Sequence, residues 1–215
     1  GSMLEAKQGL GTGDDNRFFR FYWEINLSKL GLNLNSAKEG WLKKKKWFPL
    51  NKGGSYRKWY GNQEYVIAFD EDTRDILKTL GNHLPSENKY FKKFISWSDI
   101  TSANNSFRKY DSGFLFSNTG HCAFPTDDDL ENIVLTYCNN KFVNIMTKVL
   151  NPTMHFHVGY FKLLPFPSKL ENYSEQVNRI SKELISLSKM DWNTYETSWD
   201  FSESPIIRTQ QPNLE

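Results

Sequence analysis

Short aromatic-rich runs with strand character recur along this chain at irregular intervals, with helical segments between some of them and only turns between others. "RFFRFYWEI", "WFPL", "EYVIAF", "KKFISWS", "SFRKY", "GFLFS" and "HCAFP" are rich in residues that fit a pleated surface, and turn-forming stretches bound them. A regular βαβ sheet would alternate strand and helix, and this chain does not. The order predicts an α+β fold: a mixed, largely antiparallel sheet of short strands with flanking helices and a long C-terminal amphipathic helix.

In "RFFRFYWEI", Phe19, Phe21, Trp23 and Ile25 alternate with Arg20, Tyr22 and Glu24, a period-two strand pattern that competes with a helix starting at Asp15. "KKKKWFPL" and "SYRKWY" flank "NKGG", and the Gly-Gly turn between aromatic-bearing runs signals a hairpin. An acidic first turn and a glycine stop mark a helix over Asp70 to Gly81. Two further helices are expected between Thr126 and Leu150, capped by Thr126 and the acidic Asp127, Asp128 and Asp129. "HFHVGYFKLLPFP" reads as a strand closed by prolines. From Ser168 to Met190, Leu170, Tyr173, Val177, Ile180, Leu184 and Leu187 recur at three- and four-residue steps, which predicts a long helix with one apolar stripe.

These signals divide the chain into residues 1–13, an expression remnant and linker; 14–167, the main domain; 168–190, a helical spacer; and 191–215, an extended or disordered tail. The length of 215 residues suits one domain with a real core. Cys122 and Cys138 form no disulfide framework, and no run approaches the roughly 20 apolar residues of a membrane span. A cytoplasmic protein with no membrane partner is therefore expected. The opening Gly-Ser-Met matches an expression scar, so the natural chain is expected to begin elsewhere.

The usual catalytic signatures are missing. No GxGxxG, P-loop, HExxH, GxSxG or paired CxxC occurs, which removes support for nucleotide, zinc and hydrolase readings. "GLGTGDDN" lacks the preceding strand and the spacing of a phosphate loop. His155 and His157 would share one strand face, as two metal ligands must, but no third ligand lies near them in sequence; a packed or hydrogen-bonded pair is the simpler reading. "LNPT" shares only Asn-Pro with the NPPY motif of amino methyltransferases and reads as a helix stop at Asn151-Pro152. The acidic runs at Asp70 to Asp75 and Asp127 to Asp129 sit where helices begin, and the helix dipole accounts for them without a metal.

The charge distribution points elsewhere. Residues 1–110 carry 19 Lys or Arg against 12 Asp or Glu, about +7, whereas residues 111–215 carry 8 against 13, about −5. Within the basic half, Lys43, Lys44, Lys45 and Lys46 precede Trp47, and Lys52, Arg57 and Lys58 surround the Gly-Gly turn beside Trp59 and Tyr60. Cations neutralise phosphates, arginine offers a two-pronged donor, and glycines let backbone approach closely, so the segment is a candidate grip on nucleic acid. A solvated hairpin whose rings cap the core is the equal alternative.

"GLGTGDDNRFFRFYWEI", "KWFPLNKGGSYRKWYGN", "FISWSDITS", "GFLFSNTGHCAFP" and "LTYCNNKFVNIMTKVLNPTMHFHVGYFKLLPFP" follow one another over Gly9 to Pro167. In these blocks the chain resembles the C-terminal part of BREX-type phage-defence adenine-specific DNA methyltransferases, the PglX family, and the related region of single-chain restriction-modification methylases with a TaqI-like specificity domain. The resemblance implies a target-recognition domain followed by a helical spacer. The S-adenosylmethionine and NPPY motifs would lie in an upstream catalytic domain, leaving this part without a cofactor and non-catalytic by itself. Double-stranded DNA is the implied partner, with Lys52, Arg57 and Lys58 as first-choice contacts and Lys43 to Lys46 as an electrostatic apron. Arg17, Arg20, Ser96, Ser98, Asn118 and His121, at strand ends or turns of the resembling blocks, follow as weaker candidates. The alternative is an interaction module whose C-terminal helix docks the methyltransferase domain or another subunit of the defence system; an independent enzyme ranks last.

Overall fold

The computed structural model describes residues 4–102, 104–126, 128–167 and 174–209. In chain order the first half forms β1 (Leu4–Lys7), α1 (Asp15–Phe18), β2 (Phe19–Phe21), α2 (Ala37–Leu42), β3 (Trp47–Asn51), β4 (Tyr65–Ala68), α3 (Glu71–Thr79) and β5 (Phe94–Ser98). The second half forms β6 (Arg108–Tyr110), β7 (Leu115–Phe116), β8 (Gly120–Pro125), α4 (Asp128–Cys138), α5 (Lys141–Leu150), α6 (Val158–Phe161), α7 (Ser174–Trp192) and α8 (Pro205–Thr209). The fold is α+β as expected, but the strands divide into two four-stranded sheets. One, in the order β1-β8-β5-β6, is antiparallel throughout; the other, β2-β4-β3-β7, is antiparallel except for the parallel pairing of β3 with β7.

The first sheet lies between two cores, and side-chain alternation along its strands explains this. Phe94 on β5 and Cys122 and Phe124 on β8 face a core shared with Phe48, Leu50 and Ile67 of the second sheet. Their neighbours Ile95, Trp97 and Ala123 face the other way, onto Val134 and Leu135 of α4, Val143 of α5 and Phe161 of α6. A strand buried on both faces reads as a nearly unbroken apolar run, which is what "FISW" and "CAF" are.

Several local expectations are corrected. Residues 4–12 are no linker: β1 pairs with β8, and Leu10 is buried and donates its amide to Phe116 O at 3.0 Å. A Cβ on Gly9 would fall 2.0 Å from the Phe116 carbonyl oxygen, so glycine lets this segment close against β7. The strand predicted at "RFFRFYWEI" shrinks to β2, with a helical turn before it and a 3-10 turn after it, so both competing readings hold locally. The hairpin around "NKGG" does not form. β3 pairs instead with β4, and residues 52–64 leave the sheet as one long connection. "HFHVGYF" is a bridge at His155 followed by α6 rather than a strand.

The helix expected over Asp70 to Gly81 forms over 71–79, and the two expected between Thr126 and Leu150 form over 128–138 and 141–150; the side chains proposed to cap α4 at Asp127, Asp128 and Asp129 lie outside the described residues. The long helix is described from Ser174, so Leu170 and Tyr173 also lie outside them. Its inner face is rotated from the predicted stripe: Ser181 and Trp192 are buried, whereas Ile180 and Leu187 are exposed. Ser181 meets Thr136 hydroxyl to hydroxyl and donates to Asn132 O, so a polar contact seats α7 on α4. The following segment is not extended. Trp199 packs on the first core, and α8 follows. Among the described residues no helix is long and apolar enough to cross a membrane.

Candidate functional site

The 52–64 connection leaves the second sheet after β3, and buried polar groups hold it from beneath. Asn51, the last residue of β3, is fully buried; its Nδ2 donates to Ser96 Oγ (2.7 Å) and Gly120 O (3.1 Å) on the other sheet. Its Oδ1 accepts from Gly53 N at 3.1 Å, which starts the turn. Gly53 has φ 84, and a Cβ there would lie 2.8 Å from Thr119 O, so two separate constraints require glycine.

Arg108 on β6 supports the far side of the connection. It is fully buried, and its guanidinium reaches Ser98 Oγ (3.2 Å), Ser106 Oγ (3.3 Å), Arg57 O (3.3 Å) and Ser55 O (3.5 Å). Burial pushes its pKa down, the nearby Tyr110 phenol opposing. Trp59 pairs with Phe107 and Lys109 through its backbone, which ties the connection to the edge of the first sheet at β6. The tip at Gly54, Ser55 and Tyr56 stands exposed, and Gly54, Tyr56, Ser98, Thr101, Asn104 and Ser106 border one small polar hollow.

The predicted contact residues fare unequally. Lys52 pairs with Asp15 at 2.9 Å and lies over the rings of Phe19 and Tyr65. Arg57 pairs with Asp191 at 2.7 Å and stacks on Trp192 and Tyr195, so it fastens the end of α7 to the connection. Lys58 Nζ donates to Asn139 O at 2.6 Å. All three first choices thus have partners within the chain. Lys43, exposed, pairs with Glu39, and Lys45 donates to Ser28 O; Lys44 and Lys46 are exposed as well, opposite the acidic Asp70, Glu71 and Asp72 of the α3 entry. Arg17 is exposed over Phe18, and Arg20 turns back onto the carbonyls of Asn16 and Phe19.

Ser96 and His121 are buried, Ser96 as the acceptor for Asn51 and His121 with Nε2 3.2 Å from Asp99 Oδ1; neither faces an outside partner as read from sequence. Burial pushes the His121 pKa down, with Asp99 opposing. Ser98 borders the hollow while donating to Gly54 O, and Asn118 is exposed at the β7–β8 turn. Sequence reasoning missed Tyr56, Thr101 and Asn104, which meet only because Arg108 draws two distant loops together; the one local hint was their polar, turn-forming neighbourhood.

No known family profile matches the chain. It is 33% identical over 213 residues to an adenine-specific methyltransferase PglX of Lacticaseibacillus casei (strain Zhang), an alignment covering 96% of this chain and 17% of that protein. It is also 33% identical over 205 residues to an adenine-specific methyltransferase BrxX of Escherichia coli O9:H4 (strain HS), covering 94% of this chain and 16% of that protein. The chain is therefore homologous over most of its length to one segment of each, and spans about a sixth of the length of the curated relatives it matches.

Proposed function

We propose that this chain is the DNA target-recognition segment of an adenine-specific methyltransferase of the PglX and BrxX kind, acting in phage defence or restriction-modification. The observation that carries this reading is the 52–64 connection: a loop braced by Asn51 and Arg108, with an exposed Tyr56 at its tip and polar side chains of a second loop beside it. Rigidly held loops bearing hydrogen-bonding and aromatic groups suit the reading of base edges, and the exposed Lys44 and Lys46, which precede the opposite end of β3, suit phosphate contact. S-adenosylmethionine and the methyl-transfer machinery belong, on this reading, to another part of the parent, which would flip the adenine while this segment holds the duplex. On this reading the segment works in the manner of a TaqI-like specificity domain.

The chain should bind duplex DNA with steep salt dependence in fluorescence anisotropy titrations. Replacing Lys44 and Lys46 by alanine should lower the slope of log affinity against log salt by about 2, one for each phosphate contact. Tyr56→Ala should weaken binding by about tenfold and leave the slope unchanged, since a ring contact releases no counterions. No binding at about 50 mM salt, or binding indifferent to salt, overturns the reading.

A second reading rests on the outer face of α7, where Ile180, Leu187 and Met190 are exposed while the inner face is already seated on α4. That stripe suits docking on the parent's methyltransferase domain or on another subunit of the defence system. Leu187→Glu should leave the melting temperature within about 2 °C of the wild type, because surface substitutions cost little. Loss of association in the full-length parent with the fold intact would support this reading, and unchanged association would exclude it.

A further inference from the structure

Three of the four histidines of this chain converge on one carboxylate. Asp99 follows β5 directly and is nearly buried; its Oδ1 lies 3.2 Å from His121 Nε2 and 3.0 Å from His157 Nδ1, and its Oδ2 lies 3.0 Å from His155 Nδ1. Three separate segments supply these groups. His121 comes from β8, one residue past the pairing of Ser98 with Gly120, while His155 and His157 come from the turn that enters α6. Backbone bonds already align that turn with the end of β5, since Phe156 N donates to Asp99 O at 2.7 Å and Thr101 N to Met154 O at 3.0 Å.

We infer that Asp99, His121 and His157 form a binding site for a first-row divalent transition-metal ion, with zinc as its natural probe. One ligand atom from each lies within 4.8 Å of the other two. The Asp99 Oδ1 separations of 3.0 and 3.2 Å come close to the about 3.3 Å edge of a tetrahedron whose bonds are those of zinc to nitrogen and carboxylate oxygen. Two imidazoles and a carboxylate are the donor types that zinc and its neighbours accept. His155, on the second oxygen, fixes the carboxylate's orientation as an outer partner.

Each of the three imidazoles turns a ring nitrogen toward this one carboxylate, so the donor atoms already converge. The far nitrogen of His121, Nδ1, is buried with no hydrogen-bond partner, so that ligand would lack an outer partner of the kind His155 provides to Asp99. The side chains of His155 and His157 are about half exposed, so water can reach the cluster and would complete the coordination of a bound ion. A bound ion would pin the entry of α6 to the ends of β5 and β8. Asp99 is the next residue in the chain after Ser98, whose hydroxyl holds Gly54 of the candidate recognition loop.

The test uses the 215-residue chain, stripped with chelator and titrated with zinc against a chromophoric competitor, then repeated with cobalt to follow visible ligand-field absorption. One equivalent should bind with a dissociation constant below about 1 μM and raise the melting temperature, because an ion that binds only the folded state stabilises it. His157→Ala removes an exposed ligand without touching the core, and should weaken binding by about 100-fold and abolish the cobalt bands. His155→Ala should weaken it by about tenfold. His83, the fourth histidine, turns instead to Lys78 O, so His83→Ala should leave affinity unchanged. Failure of the wild type to bind one equivalent, unchanged affinity in His157→Ala, or equal loss in His83→Ala would each overturn the site. None of these readouts involves DNA.

Discussion

Replacing Arg108 by leucine is expected to lower stability by about 3 kcal/mol, since two carbonyls and two hydroxyls that now accept from a buried guanidinium would lose that donor. For a chain of this size that corresponds to a fall in melting temperature of about 6–12 °C. The loss should be uneven. Amides of residues 54–58 should exchange with solvent much faster than those of β5 or β8, because the guanidinium bridges that loop to Ser98 and Ser106. Arg108→Lys keeps the charge without the planar fork, and should recover less than half of the lost stability. A decrease below about 1 kcal/mol for the leucine variant would mean that the loop is held elsewhere, and would remove the support for a rigid recognition surface.

Asn51→Ala should cost about 2–3 kcal/mol, because one buried amide both bonds across the two sheets and starts the turn at Gly53. Asn51→Asp separates those two duties. The acceptor for Gly53 N survives, but an oxygen replaces the donor that faces Gly120 O. Burial beside that carbonyl would raise the pKa of the new carboxyl above its unfolded value. The folded state then holds the proton more tightly than the unfolded state, so the variant should be most stable below about pH 4 and lose stability as pH rises through the raised value. Denaturant melts at two pH values measure this. A variant equally stable at both would show that the amide does not face a carbonyl as described.

The parts of the fold legible in sequence were those set by local pattern. The acidic turn at Asp70 opens α3, where the Asp70 side chain accepts from Thr73 N, and the apolar runs became β4, β5 and β8. What escaped was decided at a distance. The glycines at 53 and 54 do bend the chain, yet the partner of β3 is the run starting at Tyr65, because the core needs Val66 and Ile67 opposite Pro49 and Phe48. Periodicity indicates α7, and Val177 and Leu184 of the predicted stripe are half-buried, but the fully buried residue that bonds to α4 is the polar Ser181, which an apolar stripe does not mark. Composition could not foretell that Lys52, Arg57 and Lys58 would each find a partner within the chain, nor that Asp99 would meet histidines more than twenty and more than fifty positions away.

The pairing of β1 with β8 joins residues about 120 positions apart. Closing so long a loop carries a large entropic cost that is recovered only when the contacts on both sides have formed. On a ribosome the earliest strand must wait, unpaired, until β8 has been made, with Leu10 and Ala6 exposed in the meantime. Assembly is therefore expected to finish late at β1: a slow step seals the edge of β8 with a strand made long before it.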